Sequence, residues 1–387
     1  MKVQNLSSFT DNIRYVPLQT GNDNNHSWIS YCTLLGDYLL ITNLEECFLY
    51  NKEGKYIKKI GSVGRGPGEY QFAMSVGFDS DTNIYVQSLY DLVEYRKDGS
   101  FLKKEKNFFM LNNDLDEFLL NWIIVNDSLF FGLIQNTSGL VNEKALLKDK
   151  NNNLVKSYKN YILFQRRVSR TGEIGEKENI HQFKNHVYYK EQYNDTLFWL
   201  NPNFQMIPMY TFLLGNFKEP ISVRASARGG NYRAEYIYVN CVFQTERYLF
   251  LDCDFGAQFP AKRLTPLPTP IATINPIWYH TRLVLGILDK KTNALVFCKP
   301  TSTDNRLFTT GLHNDIDAGP RFFPDKQAND STMVMWIDAK QLKDHIASDD
   351  FKNYVPKYPE KKTELEELAN KITIFDNPVL MFVTFKK

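Results

Sequence analysis

Short runs of alternating apolar and polar residues follow one another along the chain, and most of them end at Gly, Asp or Asn. The first clear pair, 28–35 and 38–42, is separated by Gly36-Asp37. A period of two is typical of half-buried strands, and a short turn of this composition favours an antiparallel hairpin. The same arrangement recurs at 74–88, 122–134, 236–254 and 282–298. The pattern therefore predicts an all-β chain of consecutive hairpins.

One of these units repeats at a fixed distance. The segment 49–59 aligns with 94–104 at an offset of 45 residues, and five of the eleven positions are identical. Each copy places an acidic residue and a glycine between two apolar runs, Glu53-Gly54 in the first and Asp98-Gly99 in the second. Four short strands in about 45 residues are typical of a β-propeller blade, whereas a sandwich is not expected to repeat in this way.

Six blades account for the length of the chain. At about 45 to 50 residues each, six blades leave room within 387 residues for termini and insertions, and seven do not. We therefore predict a single six-bladed β-propeller domain over 1–387 with four-stranded antiparallel blades. Residues 338–372 depart from the blade pattern and predict a short C-terminal helical excursion of two helices, the first capped by Asp338 and the second opened by Pro359.

The ends of the chain carry two candidate closing strands, Ile13–Leu18 and 379–385. A ring with an open edge leaves backbone groups unpaired and invites aggregation. We expect at least one of these strands to complete a blade whose other strands come from the opposite end of the chain.

Composition narrows the function classes. The chain has 46 basic and 44 acidic residues, a net charge of +2, which argues against nucleic acid or an anionic membrane as the main partner. It has no apolar run of 18 residues, so we predict no transmembrane segment. The five cysteines form no Cys-x-x-Cys pair and no metal or cofactor motif is present, so we expect neither a metal nor a cofactor. The first residues turn polar at once, so we expect no signal peptide in this sequence, and composition leaves open a cytoplasmic chain or one from which a signal was removed. We expect a monomer.

Five stretches together resemble a bacterial six-bladed β-propeller family related to NHL repeats. They occur in the family's order: 14–18, the glycine-rich run 60–70, 194–198, 314–319 with Phe323-Pro324, and 377–380. The resemblance implies the six-bladed fold and, because members often carry a secretory or lipoprotein signal, a periplasmic, outer-membrane-anchored or secreted location. The family has no agreed activity, so the resemblance implies no reaction.

The glycine-rich run ends in Glu69-Tyr70 and contains Arg65. Its spacing matches neither dinucleotide-binding nor P-loop motifs, and Pro67 interrupts it. We interpret the run as the crossing from the outer strand of one blade to the inner strand of the next, where glycines allow a tight path. Glu69 and Tyr70 are then expected near the central channel, with Arg65 available to a carboxylate or an aromatic ring.

A second candidate site lies late in the chain, where His313, Asp315 and Asp317 fall within five residues and Arg321 follows. Imidazole and carboxylate groups this close can bind a metal or act in acid–base chemistry, but Asn and Asp also cap turns. If both crossings open on one face, a channel mouth is lined by the residues Arg65, Glu69, Tyr70, His313, Asp315, Asp317 and Arg321.

Three other features have a structural and a functional interpretation. Asp79–Asn83 lacks the glycine and glutamate that a calcium loop requires, so we interpret it as a hairpin turn. Arg224, Arg228 and Arg233 form either an anion site or an exposed loop. The proline-rich segment 264–278 is either an ordered insertion or a ligand for a partner domain.

The sequence favours a non-catalytic binding or scaffold module of the bacterial envelope that recognises a protein or a glycan through its inter-blade loops. The alternative is a lyase or hydrolase that acts on a polysaccharide or another polar ligand at the channel mouth. An enzyme requires at least two titratable groups within reach of one substrate atom, and no nucleophile motif is present in the sequence.

Overall fold

Six four-stranded antiparallel sheets are arranged as the blades of a propeller. The computed structural model describes residues 1–110, 119–134, 136, 138–165, 179–191, 194–226, 236–255, 283–299 and 311–386. The first strands of successive blades, from blade 1 to blade 6, contact one another, and Lys326 Nζ donates to Tyr31 Oη (2.8 Å) between blades 6 and 1. These first strands therefore form the inner ring. The all-β prediction and the prediction of six blades are confirmed.

The strands follow one another blade by blade. The chain begins with β1 (Asn12–Pro17), and blade 1 then contains β2 (Tyr31–Leu35), β3 (Tyr38–Thr42), β4 (Cys47–Asn51) and β5 (Tyr56–Ile60). A short parallel pair follows, β6 (Ser62–Val63) and β7 (Glu69–Tyr70). Blade 2 contains β8 (Ser75–Phe78), β9 (Ile84–Gln87), β10 (Asp91–Tyr95) and β11 (Phe101–Lys106). Blade 3 contains β12 (Leu119–Val125), β13 (Leu129–Ile134), β14 (Glu143–Asp149) and β15 (Leu154–Lys159).

The later blades keep the same order. Blade 4 contains β16 (Asn179–Phe183), β17 (His186–Lys190), β18 (Thr196–Leu200) and β19 (Met206–Thr211). A short helix, α1 (Ile221–Ser226), precedes blade 5, which contains β20 (Tyr238–Gln244), β21 (Tyr248–Asp254), β22 (Leu283–Asp289) and β23 (Ala294–Phe297). Blade 6 contains β24 (Lys326–Gln327), β25 (Thr332–Ile337) and β26 (Val379–Thr384), and β1 is its outermost strand.

The N-terminal strand closes the ring. β1 pairs antiparallel with β26 from Asn12 opposite Thr384 to Pro17 opposite Val379. Beyond the strands, Lys386 N donates to Phe9 O (2.9 Å), which extends the pairing. Because β1 supplies the fourth strand of a blade built from the C-terminal residues, the prediction of closure from opposite ends of the chain is confirmed.

The 45-residue repeat places matching residues at matching positions. Tyr50 and Tyr95 both lie in the third strand of their blades, are buried, and sit where the register with the fourth strand shifts. Gly54 and Gly99 have φ of +81° and +80°, the left-handed conformation that glycine adopts easily in such turns. The repeat therefore reflects equivalent places in adjacent blades.

A helical insertion separates the second and third strands of blade 6. It contains α2 (Ala339–Ala347), α3 (Asp349–Asn353) and α4 (Pro359–Lys371), so the prediction of two helices is wrong by one. Asp338 precedes α2, but its side chain accepts no capping hydrogen bond, contrary to our prediction. Ser348 caps α3 instead, since its Oγ accepts from Phe351 N (3.2 Å). Leu342 and Leu365 are buried in one core with blades 5 and 6.

Six apolar cores fill the junctions between successive blades in the described part of the chain. The core between blades 6 and 1, for example, contains Phe382 of β26 and Phe48 of β4. Burial of a side chain of this size contributes about 1.5–3 kcal/mol. The proline-rich segment 264–278, Arg228 and Arg233 lie outside the described residues, as does the Arg224 side chain. No helix in the described ranges has the length and apolar character needed to cross a membrane.

Candidate functional site

The connections between strands divide into two faces. In a four-stranded meander, the connection between the second and third strands lies at the same end as the crossing to the next blade, and the first hairpin lies at the other end. We call the first end the loop face, and it includes 18–30, 43–46, 61–74, 88–90, 138–142, 160–165, 212–226 and 373–378. We call the other end the hairpin face, and it includes 36–37, 79–83, 126–128, 184–185, 245–247 and 328–331. The glycine-rich loop belongs to the loop face, whereas Asp315 of the late loop bonds to Ser7, whose carbonyl accepts from Lys386 at the hairpin-face end of β26.

The glycine-rich loop wraps around one of its own side chains. Glu69 Oε2 accepts a hydrogen bond from Gly66 N (2.7 Å). A Cβ atom at Gly64 would lie 2.1 Å from the same oxygen, so no larger residue fits there without a shift of Glu69. Lys104 Nζ, on the outermost strand of blade 2, donates to Glu69 O (2.8 Å). The loop is therefore held against the outer half of blade 2, and the Glu69 carboxylate binds a backbone amide.

Tyr70 lies in the core between blades 1 and 2, away from solvent. Its hydroxyl donates to Ile60 O (2.8 Å) and accepts from Cys47 N (3.0 Å). Burial raises the pKa of the Tyr70 hydroxyl well above its ordinary value. The expected place of Tyr70 near the channel is corrected, because its ring and hydroxyl lock the crossing onto blade 1. Arg65, by contrast, is exposed.

The carboxylates of the late loop also hold local structure. Asp315 accepts from Ser7 N (2.9 Å) and Ser7 Oγ (2.6 Å), which ties the N-terminal segment to the loop. Asp317 Oδ1 accepts from Gly319 N (2.8 Å) and from the side chains of Asn314 (2.6 Å) and Tyr15 (3.2 Å). Burial raises the pKa of Asp317 to about 6, against the lowering effect of these donors.

His313 and Arg321 flank these carboxylates. His313 N donates to Gln4 O (2.8 Å), and its ring meets the Tyr354 ring edge to face at 5.0 Å. Burial, followed by the nearby Arg321 charge, lowers the pKa of His313. Arg321 Nη1 donates weakly to Gly311 O (3.4 Å).

The two predicted loops are held by different blades. The glycine-rich loop bonds to blade 2, and the late loop bonds to the N-terminal segment and to β1 of blade 6. Glu69 and Asp317 accept hydrogen bonds from amides of their own loops, in agreement with the structural interpretation, whereas Asp315 bonds to the distant Ser7. In the part of the chain that the structure covers, no group of three His, Cys, Asp or Glu side chains is arranged to hold a metal ion. A ligand-binding role for the predicted residues stays a prediction.

A buried polar cluster that was not predicted lies on the inner strands of blades 4 to 6 and includes Lys290 from a turn of blade 5. His181 bonds through Nδ1 to Asn179 Oδ1 and through Nε2 to Gln244 Nε2, both at 3.1 Å. Lys290 Nζ donates to Gln244 Oε1 (3.0 Å), and Gln244 N donates to Gln327 Oε1 (3.0 Å). The residues of this cluster come from three blades, so no local sequence motif indicates the cluster.

The ionisable groups of this cluster have pKa values that are shifted by burial. Burial and the nearby charges of Lys326 and Lys290 lower the pKa of His181 to about 3, so its ring is neutral. The neutral ring then accepts at Nε2 from the Gln244 amide and donates from Nδ1 to Asn179. Burial also lowers the pKa of Lys290 to about 8. Since Gln244 of blade 5 bonds to His181 of blade 4 and to Gln327 of blade 6, the cluster fixes these three blades to one another.

Exposed apolar side chains are concentrated on the loop face. Their exposed fractions range from 37% for Tyr90 to 92% for Leu213. The larger ones on this face are Trp28, Leu44, Val63, Phe72, Tyr90, Leu140, Tyr161, Leu163, Leu213, Phe217, Ile221, Ile374 and Phe375. The described turns of the hairpin face contribute none of the large exposed apolar residues. The remaining ones on blades, such as Leu154 and Leu295, lie on outermost strands.

Comparisons with known proteins identify a family and a shared fold. The family model described as a domain of unknown function, DUF4934, matches residues 2–384. A solved structure from Bacteroides fragilis NCTC 9343, of a protein described as exported, has a TM-score of 0.68 at 18% identity and covers 100% of this chain and 98% of that one. A DUF4221 member from Bacteroides vulgatus ATCC 8482 has a TM-score of 0.53 at 9% identity, with 97% of both chains covered. A search of curated proteins finds no match. The relation to NHL repeats stays a prediction.

Proposed function

The chain belongs to the DUF4934 family, and we propose that it is a non-catalytic binding or scaffold module of a bacterial envelope. Its loop face recognises a protein or a glycan. The likeness to a Bacteroides protein described as exported supports the envelope location.

The distribution of exposed apolar side chains carries this proposal. Soluble proteins seldom expose large contiguous apolar patches except where another molecule covers them, and aromatic residues are enriched in such contact surfaces. Tyr161 and Leu213 on the loop face have exposed fractions of 79% and 92%. The hairpin face carries turn residues such as Asp37 and Asp127 instead. One end of the ring is therefore suited to contact, and the other to solvent.

The scaffold beneath the loop face is rigid where it is described. Tyr70 locks the first crossing onto blade 1, and Asn377 Nδ2 donates to Asn24 O (2.7 Å) between two segments of the loop face. Loops fixed on a rigid frame can bind without first paying the entropy of ordering. Arg65 remains exposed on this face and belongs to the proposed contact surface.

The positions of the titratable groups support binding rather than catalysis. Glu69 and Asp315 belong to loops held by different blades, and each carboxylate already accepts hydrogen bonds from neighbouring backbone amides. A catalytic pair requires two groups directed at one substrate atom.

The test is a binding screen on arrays of oligosaccharides and of envelope proteins. We compare the wild-type chain with loop-face variants Tyr161→Ser, Leu213→Ser and Leu140→Ser, and with outer-strand controls Leu154→Ser and Leu295→Ser. We expect a partner whose binding weakens in at least one loop-face variant and is unchanged in the controls. Turnover of an arrayed oligosaccharide, or equal loss in both sets, contradicts the proposal.

A further inference from the structure

Four exposed apolar residues follow one another across the junction of blades 1 and 2 on the loop face. Trp28, Leu44, Phe72 and Tyr90 have exposed fractions of 47%, 40%, 44% and 37%. We call these four residues the junction patch. Trp28 precedes the inner strand of blade 1 and Phe72 precedes that of blade 2, so the patch lies beside the inner ring.

Backbone contacts fix the order of the four residues. Ser30 N donates to Thr42 O (2.8 Å), which keeps the segments that carry Trp28 and Leu44 side by side. Leu44 O accepts from Ala73 N (2.8 Å), next to Phe72.

Hydrogen bonds also connect these segments to blade 2. Ser88 Oγ accepts from Phe72 N (3.4 Å) and Gln71 N (3.1 Å), close to Tyr90. The patch is therefore a pre-ordered row rather than four unrelated side chains.

Leu44 is held in a conformation that is unfavourable for its side chain. Its φ is +75°, in the left-handed region that glycine and asparagine adopt far more readily. The residue is also two-fifths exposed, so its side chain gains only part of the stabilisation that burial gives. Strained residues of this kind are concentrated at ligand-binding sites. The combination of strain and exposure indicates that the leucine side chain is presented for contact.

We propose that the junction patch binds an extended segment of a partner protein that carries apolar side chains and an adjoining lysine or arginine. This inference rests on the proposed function and names the class of partner for one part of the loop face. Two of the four side chains, Leu44 and Phe72, offer no hydrogen bond to a sugar hydroxyl, whereas the Trp28 indole and the Tyr90 hydroxyl each carry one polar group. Buried aromatic anchors surrounded by apolar contacts are typical of the hot spots of protein interfaces.

The carboxylates beside the junction patch are the reason to expect a basic residue in the partner segment. Glu46 pairs with Lys59 (2.8 Å) and Asp91 pairs with Lys104 (3.2 Å), so these carboxylates are neutralised within the chain. Glu45, next to Leu44, is exposed, and its backbone amide donates within its own turn to Asn43 Oδ1 (3.1 Å). A lysine or arginine in the partner segment is therefore placed to pair with Glu45.

The test selects ligands from a phage-displayed library of random linear peptides on the immobilised full chain. We expect enriched peptides that combine apolar residues with a nearby Lys or Arg. Their affinity should fall about tenfold or more in Phe72→Ser. Glu45→Gln should weaken only the basic peptides, and Leu154→Ser, on an outer strand, should bind as the wild type does.

The variant Leu44→Asn distinguishes a contact role of the Leu44 side chain from a structural role. Asparagine tolerates the left-handed conformation, so the melting temperature should stay the same or rise while peptide affinity falls about tenfold. Failure to enrich such peptides, peptide binding unaffected by Leu44→Asn and Phe72→Ser, or saturation of the patch by neutral oligosaccharides overturns the inference. Partner binding lost only in Tyr161→Ser, Leu213→Ser or Leu140→Ser then still supports the proposed function.

Discussion

At the scale of single residues, polar side chains that looked like site chemistry stabilise the crossings between blades. The sequence located Glu69, Asp315 and Asp317 on such crossings, but it could not show their partners. Ser7 lies 308 residues from Asp315 in the chain, and no local pattern links them. The strain at Leu44 is equally invisible in the sequence, because leucine is not a residue that predicts a left-handed conformation.

The buried carboxyl of Asp317 makes stability depend on pH. Its pKa is about 6 in the folded chain and 3.8 ordinarily, so the folded state holds the proton more tightly. The stabilisation by the protonated Asp317 carboxyl is complete below a pH of about 4 and is lost as the pH rises through about 6. The free energy of unfolding changes by up to about 3 kcal/mol over this range.

Asp317→Asn keeps an oxygen acceptor for Gly319 N and removes the charge. We expect the variant to equal the wild type in free energy of unfolding near pH 4 and to exceed it near pH 8. Urea denaturation at the two pH values measures this. A difference that does not change with pH contradicts the assignment.

The Tyr70 hydroxyl is expected to be structural. Tyr70→Phe leaves Cys47 N and Ile60 O without their partner in a buried place, which costs about 1–3 kcal/mol. Tyr90→Phe, on an exposed tyrosine, should change stability by less than about 0.5 kcal/mol. Equal effects in the two variants, measured by thermal unfolding, argue against the locking role.

At the scale of elements, the alternation of apolar and polar residues predicted most strands. These strands follow this period of two and end at recognisable turn residues. The helical insertion was predicted in part. The five-residue helix α3 is too short for a periodic signal, and the cue it did offer was Ser348 followed by Asp349-Asp350, an N-cap with acidic residues in the first turn. The inner-strand polar cluster escaped prediction because His181, Gln244 and Gln327 come from three blades.

The insertion is expected to be part of the blade 6 core rather than an appendage. Leu342 of α2 is fully buried in one core with residues of blades 5 and 6, so Leu342→Ala should lower the free energy of unfolding by about 2–5 kcal/mol. Val355→Ala, at a residue that is 81% exposed, is the matched control. A negligible cost for Leu342→Ala shows that the helices are dispensable to the ring.

At the scale of the whole molecule, the ring depends on its first strand. Deletion of residues 1–20 removes β1 and leaves β26 as an unpaired edge. We expect a large fall in melting temperature and increased aggregation of the truncated chain. An unchanged melting temperature refutes closure by β1. Closure was predictable because an edge strand must be sealed and both termini carry strand patterns.

The central claim is that the loop face, and not the hairpin face, meets the partner. The most direct measurement introduces a photo-reactive benzoylphenylalanine at Tyr161 and Leu213 on the loop face, and at Asp37 and Asp81 on the hairpin face. Each variant is irradiated with the strongest partner from the binding arrays, and the adducts are quantified by mass spectrometry. The account predicts adducts from the loop face and background levels from Asp37 and Asp81. Adducts from the hairpin face at equal or higher yield contradict it.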